Sequence, residues 1–247
     1  MPLTPNSARP QNVHLDLSKS HFNLPLTFEA NVGQAAPQVQ FLARSQRSSF
    51  FLTNEGIDVQ SANPARHGSN SEPLHITFSR AAPGAAHASQ RVPHFLSWKG
   101  IDKLPTETNY LIGRKPHWHT HVPHYARAEA ATVLPGLDVI AYNTDAQLEF
   151  DLRIAPSAKP DQLRLNISGA QDLRLSPDGD LFIQLAASQI RMRHPTIYEE
   201  IADRELGVVK SASLPPPDRT PIDGEYVLEP MARSVSESAS ATATPRS

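Results

Sequence analysis

The chain has 247 residues, 39% of them hydrophobic, and a net charge of -2 from 23 basic and 25 acidic side chains. That length suffices for one large β domain or two small ones, and with no basic run nothing directs it to nucleic acid or an anionic membrane. It has no cysteine, which excludes disulfides, Cys-ligated zinc, Fe–S clusters and a cysteine nucleophile, while 23 prolines against 11 glycines predict many loops and strand edges.

Residues 1–23 are polar and Pro-containing and read as a loose arm. The first half then offers short extended candidates at 39–45, 49–53, 56–60, 74–79 and 109–113. In LHITFS, Leu74, Ile76 and Phe78 fall on one face. EAATVL at 129–134 is compatible with one helical turn. The clearest signal is QLEFDLRI at 147–154: Leu148, Phe150, Leu152 and Ile154 share one face, and Gln147, Glu149, Asp151 and Arg153 the other. Period two over that length predicts a half-buried strand. LDVIAYN precedes it across Thr144, Asp145 and Ala146, predicting a hairpin. QLRLNIS at 162–168 repeats the alternation, and QIRMRH at 189–194 turns Ile190 and Met192 inward. Between them, LRL and LFIQL flank SPDGD, where Asp178-Gly179 suits a tight hairpin loop.

The Pro-rich stretches at 62–73 and 211–223 read as surface loops, with LPPPDRTP at 214–221 an extended polyproline segment. Residues 231–247 are Ser/Ala/Thr-rich and are expected to lack structure, because they bury too little surface to offset their ordering entropy. No apolar run approaches the roughly 20 residues of a helical membrane span. Many short strands with almost no helix predict an all-β, antiparallel sandwich over 24–230, and allow a division into two packed sub-sandwiches near residue 115.

Several words, in order, go further: PLTFEANVGQ at 25–34, FLARSQRSSFFLT at 41–53, TNYLIG at 108–113, VPHYARAEAATVLPGLDVIAY at 122–142, LEFDLRIAPSAKPDQLRLNISGA at 148–170, LSPDGDLFIQ at 175–184 and IRMRHPTIYEEI at 190–201. Together they resemble the β-rich domain of unknown function that precedes SBBP-type β-propeller repeats in bacterial secreted and cell-surface proteins. The resemblance implies an extracellular setting, a structural or adhesive role, and a β-propeller or other surface domain as partner. It brings no catalytic residues. The chain departs from the pattern in four places. Its start has neither the basic nor the apolar region of a signal peptide. No propeller repeat follows residue 230. The final strand and its closing segment are replaced by the Ser/Ala tail, and the 205–223 loop is longer. A missing closing strand would leave an open sheet edge, so self-association is expected.

Four of the eleven histidines, His117, His119, His121 and His124, crowd KPHWHTHVPHY. Imidazole suits Zn²⁺, Cu²⁺ or Ni²⁺, yet same-face neighbours on a strand lie about 6.6–7 Å apart, too far for three to share one ion. The bland reading is solvated loop histidines; no metal or cofactor is assigned. Glu149 and Asp151 have a spacing compatible with a glycosidase pair, against the simpler reading of a wet strand face. Glu29, Asn31 and Gln34 could bind a ligand or close loop backbone groups. Trp98, Trp118, Tyr110 and Tyr125 could form a sugar-stacking platform or serve as anchors. Arg191 and Arg193 read as outer-face residues. No GxSxG elbow, P-loop or HExxH occurs. The expectation is a non-catalytic structural or interaction module, with a carbohydrate-binding module second and a glycoside-active enzyme last.

Overall fold

The computed structural model describes residues 26–45, 48–61, 73–81, 89–90, 95–144, 147–156, 158, 162–186, 188–200, 219–229 and 238–245. A short strand β1 (Phe28–Ala30) leads into a meander of β2 (Val39–Arg44), β3 (Ser48–Thr53), β4 (Gly56–Ser61) and β5 (Leu74–Ala81), with β6 (Ser89–Gln90) on β5. A second meander runs through β7 (Trp98–Tyr110), β8 (His119–Leu134), β9 (Leu137–Thr144) and β10 (Gln147–Ile154). β11 (Leu163–Ser168) returns to β5. β12 (Asp172–Leu175), β13 (Leu181–Gln184) and β14 (Gln189–Met192) make a small separate sheet. β15 (Ile197–Glu200) pairs with β16 (Arg219–Ile222), and β17 (Gly224–Glu229) with β18 (Ser238–Pro245), which also pairs with β11. Every pairing is antiparallel.

The main sheet has an unusual junction. Tyr125 of β8 pairs with Phe28 of β1 and Lys103 of β7; Arg127 pairs with Tyr142 of β9 and Ile101 of β7. A strand has two ladder edges, so β1 and β9 both lie along the edge of β8 opposite β7. From there two arms diverge, β9–β10 and β1–β5. They curl toward one another until Phe78 of β5 meets Phe150 of β10 edge-on, with ring centroids 6.3 Å apart. Arg80 of β5 donates to the Pro135 carbonyl, in the turn before β9, at 2.8 Å.

The result is a strongly curled half-barrel, not the clear sandwich expected. Alternation reports that one face is oily; it does not report whether the facing layer belongs to another sheet or to the same sheet bent round. Inside lie fully buried Phe28, Leu52, Ile57, Leu74, Val139 and Ile167, each stabilising the fold by about 1.5–3 kcal/mol relative to exposure. Leu181 and Ile183 of the small sheet join the same core. Residue 115, where a division was allowed, lies between β7 and β8, which pair from Trp98↔Ala130 to Tyr110↔His119.

Three local expectations need correction. Residues 129–134 are strand, not a helical turn, because β8 is held by β7 on one edge and β9 on the other, which overrides the weak helix preference of alanine. Pro221, within the expected polyproline segment, stands in β16 opposite Tyr198; residues 214–218 lie outside the described residues. Ser238–Pro245, in the tail expected to lack structure, is a strand between β11 and β17. A strand paired on both edges draws its hold from the backbone ladder and does not need large side chains. The arm at 1–23 and the loop at 62–72 lie outside the described residues, as does most of 211–223.

Candidate functional site

β1 pairs with both β2 and β8, so side chains from distant parts of the sequence gather on the outer face of the sheet. Glu29 is 8% exposed and stands directly across from His124. Arg44 donates from Nη1 to Glu29 Oε1 at 3.0 Å, and to the Tyr110 hydroxyl. The Tyr110 hydroxyl donates in turn to Glu29 Oε2. The three groups close a triangle across β1, β2 and β7. Burial, then the bond to Glu29, raises the Tyr110 phenol above its ordinary range. Burial opposes the Arg44 charge, but the bond to Tyr110 and the negative charge of Glu29 outweigh it, so its pKa is raised.

Beside this triangle, His124 has both ring nitrogens engaged: Nδ1 with Thr27 Oγ1 and Nε2 with Thr108 Oγ1, each at 2.7 Å. A neutral imidazole offers one donor and one acceptor, and two hydroxyls match that pair. Both carboxylate oxygens of Glu29 and both nitrogens of His124 are committed. Chemically the cluster is a brace that clamps the β7–β8 ribbon to β1 and β2.

The brace sits just below the ribbon's tip. Beyond Tyr110 come Leu111, 56% exposed, and Ile112, 73% exposed. A 3₁₀ turn at Lys115–His117 follows, then Trp118, 37% exposed. Lys115 Nζ lies 6.0 Å from the Trp118 ring centre, and Trp118 Nε1 donates to the Gly113 carbonyl at 3.3 Å. Gly33 packs against the His119 ring: a Cβ there would stand 2.7 Å from it, and the backbone φ of +116° suits glycine alone. This places Val32, also exposed, beside the ribbon's end.

The four histidines are thus spread apart in role. His117 is in the 3₁₀ turn, His119 lies on Gly33, His121 Nδ1 bonds Glu107 Oε2 at 2.7 Å, and His124 is in the brace. Among the described residues no three of His, Asp or Glu are grouped to hold a metal ion.

The other candidates are also placed. Asn31 bonds loop backbone groups from Gly33 to Val39, and Gln34 bonds those of Ala30 and Val32. The structure therefore separates them from Glu29. Trp98 is buried, with Nε1 donating to the Thr53 carbonyl at 2.9 Å, and Tyr125 packs edge-on against Phe41 in the core. Only Tyr110 and Trp118 of the four aromatics stand near the tip. Glu149 and Asp151 lie on the polar side of β10, where Tyr142 donates to Asp151 at 2.9 Å. Burial and that bond push the Tyr142 phenol well above its ordinary value. Arg191 pairs with buried Asp180 and lies over the Phe182 ring, while Arg193 is exposed. The His194 backbone N–H, first, and Arg191 hold the Asp180 carboxyl below its usual range.

Sequence reasoning considered Glu29 and Tyr110 separately and missed Thr27, Arg44 and Thr108. Glu29 and Tyr110 are 81 positions apart, and nothing local to either announces the other.

Comparison with known proteins adds one finding. A family model described as a domain of unknown function (DUF7948) matches residues 28–212. No curated protein and no solved structure matches the chain.

Proposed function

The chain belongs to this family, a domain of unknown function (DUF7948), and we propose that it is a non-catalytic interaction module of a bacterial surface or secreted protein that docks a neighbouring domain through the β7–β8 tip. The observation that carries the reading is a rigidly braced ribbon presenting Leu111, Ile112 and Trp118 to solvent. Aromatic and aliphatic anchors at the centre of a contact supply most of its binding energy. Arg114 and Lys115 flank them, and no acidic residue occurs from Leu111 to Val122, which suits a partner with an acidic rim around an apolar pocket. A β-propeller or another surface domain is the partner class that the wider sequence resemblance suggests.

The test is a photo-crosslinking amino acid at position 112, with exposed Gln60 as the control position, in cells that make the protein naturally. The reading predicts one adduct of defined mass from 112, none from 60, and loss of the adduct in a Trp118→Ala variant. Equal adducts from both positions, or none from 112, contradict it.

Half-exposed Trp118 also favours a second reading, a carbohydrate-binding module, since an indole face stacks on sugar rings. A glycan array separates the two: hits that vanish with Trp118→Ala and survive Trp98→Phe favour the sugar.

A further inference from the structure

We propose that the free edge of β10 is a self-pairing edge through which two copies of the chain join their sheets. β10 pairs with β9 over eight residues, from Gln147↔Thr144 to Ile154↔Leu137, with no register shift. Among the described residues no strand occupies its other edge. Sheets normally guard such an edge with proline, lysine, a bulge or an inward charge. β7 shows that protection on its own free edge: Lys99, Lys103 and Pro105 lie in it, and its pairing with β8 slips between Lys103 and Glu107. QLEFDLRI has no proline, lysine, bulge or inward charge; its charged side chains, Glu149, Asp151 and Arg153, all lie on the outer face, where a partner of opposite sign can pair with them. Its inward row, Leu148, Phe150, Leu152 and Ile154, packs on the core but is only half-buried, so apolar surface remains to be covered.

The sequence of β10 also specifies how a second copy would fit. Antiparallel self-pairing that keeps inward residues opposite inward residues leaves few registers. Centring the twofold axis on Phe150 sets Glu149 against the partner's Asp151, and centring it on Glu149 or Asp151 sets that carboxylate against itself. Centring it on Leu152 sets Asp151 opposite the partner's Arg153, twice by symmetry, with no like charges opposed. The same register places Phe150 against the partner's Ile154 and Leu152 against the partner's Leu152. Arg153, 58% exposed, donates one Nη1–H to Glu129 at 3.3 Å, and Asp151 accepts from Tyr142 through Oδ1 at 2.9 Å, so the other guanidinium N–H groups and the other carboxylate oxygen are the ones that meet across the interface. The interface is isologous, as a twofold dimer requires.

The experiment is sedimentation velocity on the full chain across a wide concentration range, with charge reversal as the probe. The wild type is expected to dimerise. Arg153→Asp and Asp151→Arg each oppose like charges at two symmetric positions, and each is expected to weaken association about tenfold. The double variant Asp151→Arg, Arg153→Asp restores opposite charges and is expected to recover the dimer. Because the chain has no cysteine, Leu152→Cys gives an independent check: mild oxidation is expected to link two copies through position 152, and Gln147→Cys to give no link. A wild type that stays monomeric throughout, or a double variant no tighter than the single ones, overturns the proposal. Equal linking at 147 and 152 overturns the register.

Discussion

Glu29 commits both carboxylate oxygens, one to Arg44 and one to Tyr110, while almost fully buried. Replacing it by glutamine removes the charge and one of the two acceptor oxygens, and turns an amide N–H donor toward the half-buried guanidinium or the phenol. Glu29→Gln is therefore expected to cost about 2–3 kcal/mol, and Tyr110→Phe about 1 kcal/mol. The two act through one network, so the double variant should cost less than the sum. Urea unfolding of the three variants measures this; strictly additive losses would show that the triangle is not a unit. These residues were not legible as a group. Glu29 reads as one acid in a polar word and Tyr110 as one aromatic among several, and only the ladder positions of β1, β2 and β7 bring them together.

At the scale of elements, legibility followed alternation. β10 and β11 were readable because Leu148, Phe150, Leu152, Leu163, Leu165 and Ile167 face one layer while charged or polar neighbours face away. β7 was not. WKGIDKLPTETNY alternates poorly, holds Pro105 and a positive φ at Asp102, and is exposed along most of its length. A strand whose two faces are both wet leaves no period-two signature. The contact of β17 with the small sheet gives an element-scale prediction. Burial, and then the negative charge of Asp180, push the Tyr226 phenol up to about 12. An unfolded tyrosine ionises near 10, so the folded state holds this proton more tightly. The stability from that difference is complete below about pH 10 and is lost as pH rises toward about 12, by an amount on the order of 2 kcal/mol. Tyr226→Phe should flatten that part of the alkaline loss in urea midpoints taken on either side of the window. An identical alkaline slope in both proteins would contradict the burial of the Tyr226 phenol.

For the molecule as a whole, the feature the sequence hid is curvature. Phe78 and Phe150 each read correctly as inward-facing, yet no pattern in either strand says that the two arms of one sheet meet there. If they do, a Phe78→Ala, Phe150→Ala double-mutant cycle should give a coupling of about 0.5–1.5 kcal/mol, the range of an edge-on aromatic pair. Zero coupling would return the molecule to two facing but independent layers.

The functional reading requires that the ribbon tip serve a partner and not the fold. Equilibrium urea unfolding of Ile112→Asp tests this most directly. A side chain that is 73% exposed and kept for docking should be replaceable with a change within about 0.5 kcal/mol. A loss of about 2 kcal/mol or more would make Ile112 part of the core and contradict the account.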